Sequence, residues 1–282
     1  MNWITKFILV ACAVLAIAGT KALAHISYSN RDFGTLIISA DVSNVTQVVS
    51  SGFGWADATD ADWGDSHRGR FFRFTLANPL SADQSVRIIA ERNLNTSASG
   101  PNGTFLPGFS LFSGLAHTTS PLAHDSSALS VQWLQQQFGT NSTGLGGSGK
   151  EGSFNALGDW SIGNSVSTSL INVSDSLRNL TYIGHAADGT SADFGNAVGI
   201  VGDGTADGFV TATFSGLAAG DYSLFVGGAN YAAQTTEVLT TEVTTYPTYG
   251  VNVTVGLVPE PSTGSLLLGG AALLAILRRR EG

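Results

Sequence analysis

The chain has 282 residues, 43% of them hydrophobic and only 12% charged, enough apolar material for a sizeable core. Five of its 13 Lys and Arg and two of its 21 Asp and Glu lie in the terminal segments, so the middle carries about −11 against −8 for the whole chain. Such a surface repels phosphate backbones and anionic lipid, which argues against nucleic acid as a partner and suits cation binding or simple solubility.

The chain opens with Lys6, an apolar run over residues 7–19, and the small-x-small site Ala22-Leu23-Ala24. That pattern predicts a secretory signal peptide over residues 1–24, cut by signal peptidase before His25. A membrane anchor fits less well, because a helix of that length rises roughly 20 Å against a hydrocarbon core of about 30 Å. Leu9-Val10-Ala11-Cys12 has the look of a lipobox, but its cysteine falls in the middle of the apolar run. Cys12 is the sole cysteine, so the mature chain forms no internal disulfide and depends on its core for stability.

Residues 25–257 read as one extracellular all-β domain, a jelly-roll-like β-sandwich. Short β-branched or aromatic runs recur between Gly, Ser, Thr and Asn clusters. Strands are predicted over residues 35–40, 45–49, 71–76, 85–90, 108–112, 169–173, 179–183, 209–214, 222–226, 236–241 and 249–255. Alternation is clearest at Phe72, Phe74, Leu76 and at Val251, Val253, Val255. The turn Gly216-Leu217-Ala218-Ala219-Gly220-Asp221 is expected to close a hairpin between two of these strands. Leu129, Trp133, Leu134 and Phe138 fall on a helical stripe after Asp125-Ser126-Ser127 and before Gly139, which predicts one short helix over an end of the sandwich.

Few motifs in this domain carry chemistry. The loop Gly144-Leu145-Gly146-Gly147-Ser148-Gly149-Lys150 approaches a phosphate-binding pattern, but no buried strand leads into it and Glu151 stands where a magnesium-binding hydroxyl belongs. Asp57, Asp60, Asp62 and Asp65 put four carboxylates into nine residues, a repulsion that one Ca²⁺ would relieve, although the spacing is not that of an EF-hand. Asp188-Gly189-Thr190 with Asp193, and Asp203-Gly204-Thr205 with Asp207, repeat a shorter acidic turn that is also ordinary turn chemistry. Trp55 and Trp63 flank the first cluster; they are either sugar-stacking platforms or core residues. The histidines are scattered, and neither a zinc-protease motif nor a nucleophile elbow is present, so no catalytic residue is assigned.

The C-terminus has three parts in order: Val258-Pro259-Glu260-Pro261-Ser262, an apolar stretch over residues 266–277, and Arg278-Arg279-Arg280. Two prolines keep residues 259–261 extended and open to a protease, and the arginines hold the far end in the cytoplasm. This tail, residues 258–282, resembles the PEP-CTERM sorting signal. The resemblance implies a transmembrane sorting helix, recognition by the transpeptidase-like exosortase, an inner-membrane intermediate, and a Gram-negative host that makes exopolysaccharide. An ice-binding label also attaches to tails of this kind, but a shared tail says nothing of the domain before it. Within that domain, residues 70–76 and 214–228 resemble strands of the pre-peptidase C-terminal type of β-sandwich found beside secreted hydrolases.

The sequence therefore predicts an exported, non-enzymatic surface or matrix protein with a structural or adhesive role in the exopolysaccharide layer. The alternative is a carbohydrate-binding module using Trp55 and Trp63, with Ca²⁺ at the acidic loop. A secreted hydrolase ranks lower. Ice binding does too, since no flat Thr-x-Thr ladder extends beyond Thr211-Ala212-Thr213.

Overall fold

A computed structural model describes residues 26–37, 43–55, 63–66, 68–95, 98, 100, 104–116, 153–163, 177–195, 199–236 and 247–259. Twelve strands are found there: β1 (Asp32–Thr35), β2 (Ser43–Ser50), β3 (Trp63–Asp65), β4 (Arg70–Leu76), β5 (Gln84–Asn93), β6 (Pro107–Ser113), β7 (Ser153–Asn155), β8 (Trp160–Gly163), β9 (Leu177–Ala187), β10 (Phe209–Ser215), β11 (Gly220–Gly228) and β12 (Thr248–Pro259). A single turn and a half of helix, α1 (Tyr231–Thr236), follows β11.

Two sheets face each other. One has six strands in the order β1-β4-β11-β6-β9-β8, the other four in the order β10-β5-β12-β2, and β3 and β7 form a separate ribbon. Period-two alternation sends Phe72, Phe74 and Leu76 of β4 inward against Val86, Ile88 and Ala90 of β5 and Val251, Val253 and Val255 of β12, all essentially without solvent contact. The expected β-sandwich is the observed architecture.

A second apolar layer lies on the outer side of the six-stranded sheet. There Phe71, Phe112, Leu180 and Phe225 meet Trp55, Trp160, Ala156 and the N-terminal residues Ile26 and Tyr28. β11 is consequently buried on both faces from Tyr222 to Gly228, which explains why its sequence reads as a continuous apolar run without alternation. Tyr28 is tied in by polar contacts as well. Its hydroxyl lies 2.7 Å from Ser223 Oγ and accepts from Ala116 N–H at 3.0 Å, while Ser223 Oγ donates to Gly114 O at 2.6 Å. The chain from Ile26 onward, one residue past the expected cleavage site, thus belongs to the folded domain.

The hairpin expected at residues 216–221 is not one. β10 pairs with β5, whereas β11 pairs with β4 and β6, so the turn carries the chain from one sheet to the other. The first strand ends at Thr35, before most of the span predicted for it, and is parallel to β4. Thr236, expected to begin a strand, ends α1 instead. The predicted strand over 169–173 and the predicted helix around Trp133 lie outside the described residues. Among the described residues no helix is long and apolar enough to cross a membrane.

Candidate functional site

The sorting tail leaves the fold through β12. This strand is central in its sheet, paired with β2 up to Val255 and with β5 as far as Val258↔Ser85 and Pro259↔Gln84. Leu257 is still in the core, at 8% exposure. Proline is tolerated at the last strand residue because its missing N–H interrupts no further ladder bond. The motif therefore starts inside the sheet, with Val258 and Pro259 on the strand, and the boundary expected after residue 257 falls two residues short of the strand's end. Glu260, Pro261, Arg278, Arg279 and Arg280 lie outside the described residues.

The acidic loop is seen only in part. Asp57, Asp60 and Asp62 lie outside the described residues, and Asp65 sits on β3 with 7% exposure. Its Oδ2 accepts from Arg68 Nε at 3.3 Å, so the carboxylate already has an arginine as counter-charge. Among the described residues no group of three or more His, Cys, Asp or Glu is placed to hold a metal ion. Trp55 is in the core. It has no exposed surface, its ring packs on Gly108, and Nε1 donates to Ser110 Oγ at 2.8 Å, so it presents no face to a sugar. Trp63 lies opposite Asn155 where β3 pairs with β7.

The two Asp-Gly-Thr turns, which follow β9 in succession, meet at its end. Asp203 N–H donates to Ala187 O at 3.0 Å, Gly204 N–H to Gly189 O at 3.1 Å, and Asp203 Oδ1 accepts from Gly189 N–H at 3.2 Å. Asp188 is fully buried beneath them, and its two oxygens accept from Asp207 N–H at 3.1 Å and Gly208 N–H at 2.7 Å. Burial pushes its carboxyl up to about 6, helped by the charges of Asp203 and Asp207 and opposed by the two N–H donors.

A third grouping escaped the sequence reading. His185 on β9 lies 5.6 Å, ring to ring, from buried Trp55, and its Nδ1 is 2.5 Å from Tyr182 Oη. Val201 N–H points at its Nε2 at 3.5 Å. A backbone N–H only donates, so Nε2 is the acceptor, the proton sits on Nδ1, and Tyr182 receives it. Burial holds this histidine below its ordinary pKa, which keeps that neutral form. Trp55, Ser110 and His185 are brought together by the strap before β3 and by the β6–β9 pairing, a relation that no local motif announces.

The outer face of the four-stranded sheet carries mostly neutral hydrogen-bonding side chains. Register places Phe209, Glu91, Asn252 and Thr46 in one row and Thr211, Ile89, Thr254 and Asn44 in the next. Asn252 Oδ1 accepts from both Thr46 Oγ1 and Asn93 Nδ2 at 2.7 Å, which orients its amide nitrogen.

Residues 257–280 match the PEP-CTERM protein-sorting motif. That match defines the class: an exported protein sorted by an exosortase. No curated protein matches the chain in sequence. Two solved structures are similar over most of its length. CorA, described as a surface-associated copper-binding protein important in copper acquisition by Methylomicrobium album BG8, is 14% identical with a TM-score of 0.46, covering 83% of this chain and 99% of its own. MopE, a secreted protein of Methylococcus capsulatus in which an oxidized tryptophan facilitates copper binding, is 15% identical with a TM-score of 0.42, covering 82% of this chain and 87% of its own.

Proposed function

We propose that this protein is a non-catalytic component of the exopolysaccharide layer, a sandwich delivered to the cell surface through its tail and holding hydrated polysaccharide there. The observation that carries the reading is the junction at β12. The sorting motif begins within a central strand, so an enzyme acting on the Pro259-Glu260-Pro261 segment works directly against the rim of the folded domain. The domain then reaches the surface without a spacer.

The adhesive part of the reading is supported by the outer face of the four-stranded sheet. Thr46, Thr211, Thr254, Asn44 and Asn252 offer donors and acceptors to sugar hydroxyls at low charge, and Ile89 and Phe209 supply apolar area between them. Trp55 takes no part in it.

Intact-mass analysis of the native surface protein tests the processing. The expected mature form begins at His25 and lacks residues 266–280; a native mass that includes Arg278, Arg279 and Arg280 would leave a plain membrane anchor in place of a sorting signal. Co-fractionation with purified exopolysaccharide tests the role. A protein found entirely in the free fraction would rule it out.

A further inference from the structure

Eight basic residues remain outside the terminal segments, and four of them, Arg31, Arg68, Arg70 and Arg73, gather where the approach to β1 runs beside β4. Two have acidic partners. Arg68 pairs with Asp65, and Arg73 grips Asp32 through Nε at 2.8 Å and Nη2 at 2.5 Å. Arg31 and Arg70 face no carboxylate among the described residues.

Arg31 is held in place from several sides. Its carbonyl accepts from Arg73 N–H at 3.0 Å; its Nε lies 3.0 Å from Phe71 O, and Nη2 donates to Ser27 O at 2.7 Å. Nη1 reaches across to Gln47 Oε1 on β2 of the other sheet, at 3.4 Å. Arg70 opens β4 and is half-buried, yet among the described residues only one of the five N–H donors that a guanidinium carries is engaged, Nη1 to Gly69 O at 2.8 Å. Burial, with a smaller contribution from the charge of Arg31, lowers its pKa to about 10. Two half-buried like charges close enough to repel, with donors left over, are relieved when an anion joins them. The rest of the domain is acidic, so this concentration of positive charge does not follow from composition.

We propose that Arg31 and Arg70 bind the carboxylate of an acidic sugar unit in the polysaccharide. Guanidinium forks match a planar carboxylate and hold it through paired, charge-assisted hydrogen bonds. Arg31 reaches Gln47 on β2, and β1 and β2 are both edge strands, so the pair lies at the rim between the two sheets. This inference rests on the exopolysaccharide reading and names the charged group recognised within it.

The test is thermal melting and calorimetric titration of the exported protein with glucuronate, with glucose and with inorganic sulfate. Glucuronate is expected to raise the melting temperature saturably while glucose does not. Arg70→Gln should weaken glucuronate binding at least about tenfold. Removing one of two facing charges also relieves repulsion, so Arg70→Gln is expected to melt no lower than the parent without ligand, which separates lost binding from lost folding. No saturable response to any anion overturns the site. A sulfate response equal to that of glucuronate, lost in Arg70→Gln, overturns the sugar-acid assignment. Co-fractionation with exopolysaccharide that Arg70→Gln leaves intact overturns this site while sparing the broader reading, whereas glucuronate binding by a protein that never co-fractionates overturns the broader reading alone.

Discussion

Ser51 holds a backbone conformation that serine rarely adopts, φ 111°, and its side chain is completely buried with no partner for Oγ. The strap around it explains why the chain tolerates this. Ser51 N–H donates to Pro247 O, Gly52 O accepts from Asn230 N–H, and Trp55 N–H donates to Gly228 O, all at 2.9–3.0 Å, so neighbouring bonds dictate the angle. Ser51→Gly removes both the strain and the desolvated hydroxyl, and after glycine's entropic cost it should stabilise the fold by about 1 kcal/mol in chemical denaturation. An unchanged or lower stability would assign the hydroxyl a role of its own. Asp188 gives a pH dependence whose sign is clear. Its carboxyl is raised to about 6 in the folded protein from an ordinary value near 4, so between those values the native state holds the proton that the unfolded chain has lost. The stabilisation from protonated Asp188 is complete below about pH 4 and lost as the pH rises through about 6. Asp188→Asn lacks that component. Relative to the wild type, its melting temperature should therefore climb as the pH is raised from about 4 to about 6.5; parallel curves would show that the buried carboxyl does not titrate there.

Among the elements, β5 and β12 were legible because one face meets the core and the other meets solvent or polar neighbours, which imprints period two on their residues; β4 keeps that alternation at Phe72, Phe74 and Leu76 although Phe71 on its other face packs into the second apolar layer. β3, β7 and β8 have three or four residues each, too few for a period to register. β10 and β11 were both found as strands but joined wrongly, since the short turn between them satisfies hairpin chemistry equally well when it arches between sheets. The same contrast holds for the sites. The sorting motif is local chemistry and can be read from a few adjacent residues, whereas His185, Tyr182 and Trp55, or Arg31 and Gln47, come together only through sheet pairing. The end of β11 shows how tightly such crossings are built. A Cβ on Gly228 would stand 2.2 Å from the backbone carbon and oxygen of Gly52, where nothing flexible can give way, while one on Gly216 would meet nothing. Gly228→Ala should cost about 3 kcal/mol by displacing the strap that carries Trp55, and Gly216→Ala about 1 kcal/mol from its positive φ alone. Equal costs in urea denaturation would mean that the strap yields.

At the scale of the whole molecule, the fold and the sorting signal share residues, and that overlap restricts where release can occur without damage. β12 contributes Val251, Val253, Val255 and Leu257 to the core between the sheets, and its pairing with β5 continues through Val258 and Pro259. A cut after Pro259 leaves every described residue of that strand in place. A cut after Gly256 takes away Leu257, which is 8% exposed, together with its ladder to Val86 and Ser85. Loss of a buried leucine side chain of this kind typically costs 2–5 kcal/mol, and the freed end of β5 adds unpaired backbone groups to the bill. Chains ending at Pro259 and at Gly256, both beginning at His25, should therefore differ in stability by at least about 3 kcal/mol in urea denaturation, the longer matching the natively released protein. If the two unfold at the same urea concentration, the end of β12 beyond Gly256 is dispensable, and the sandwich places no limit on how close to residue 256 the processing enzyme cuts.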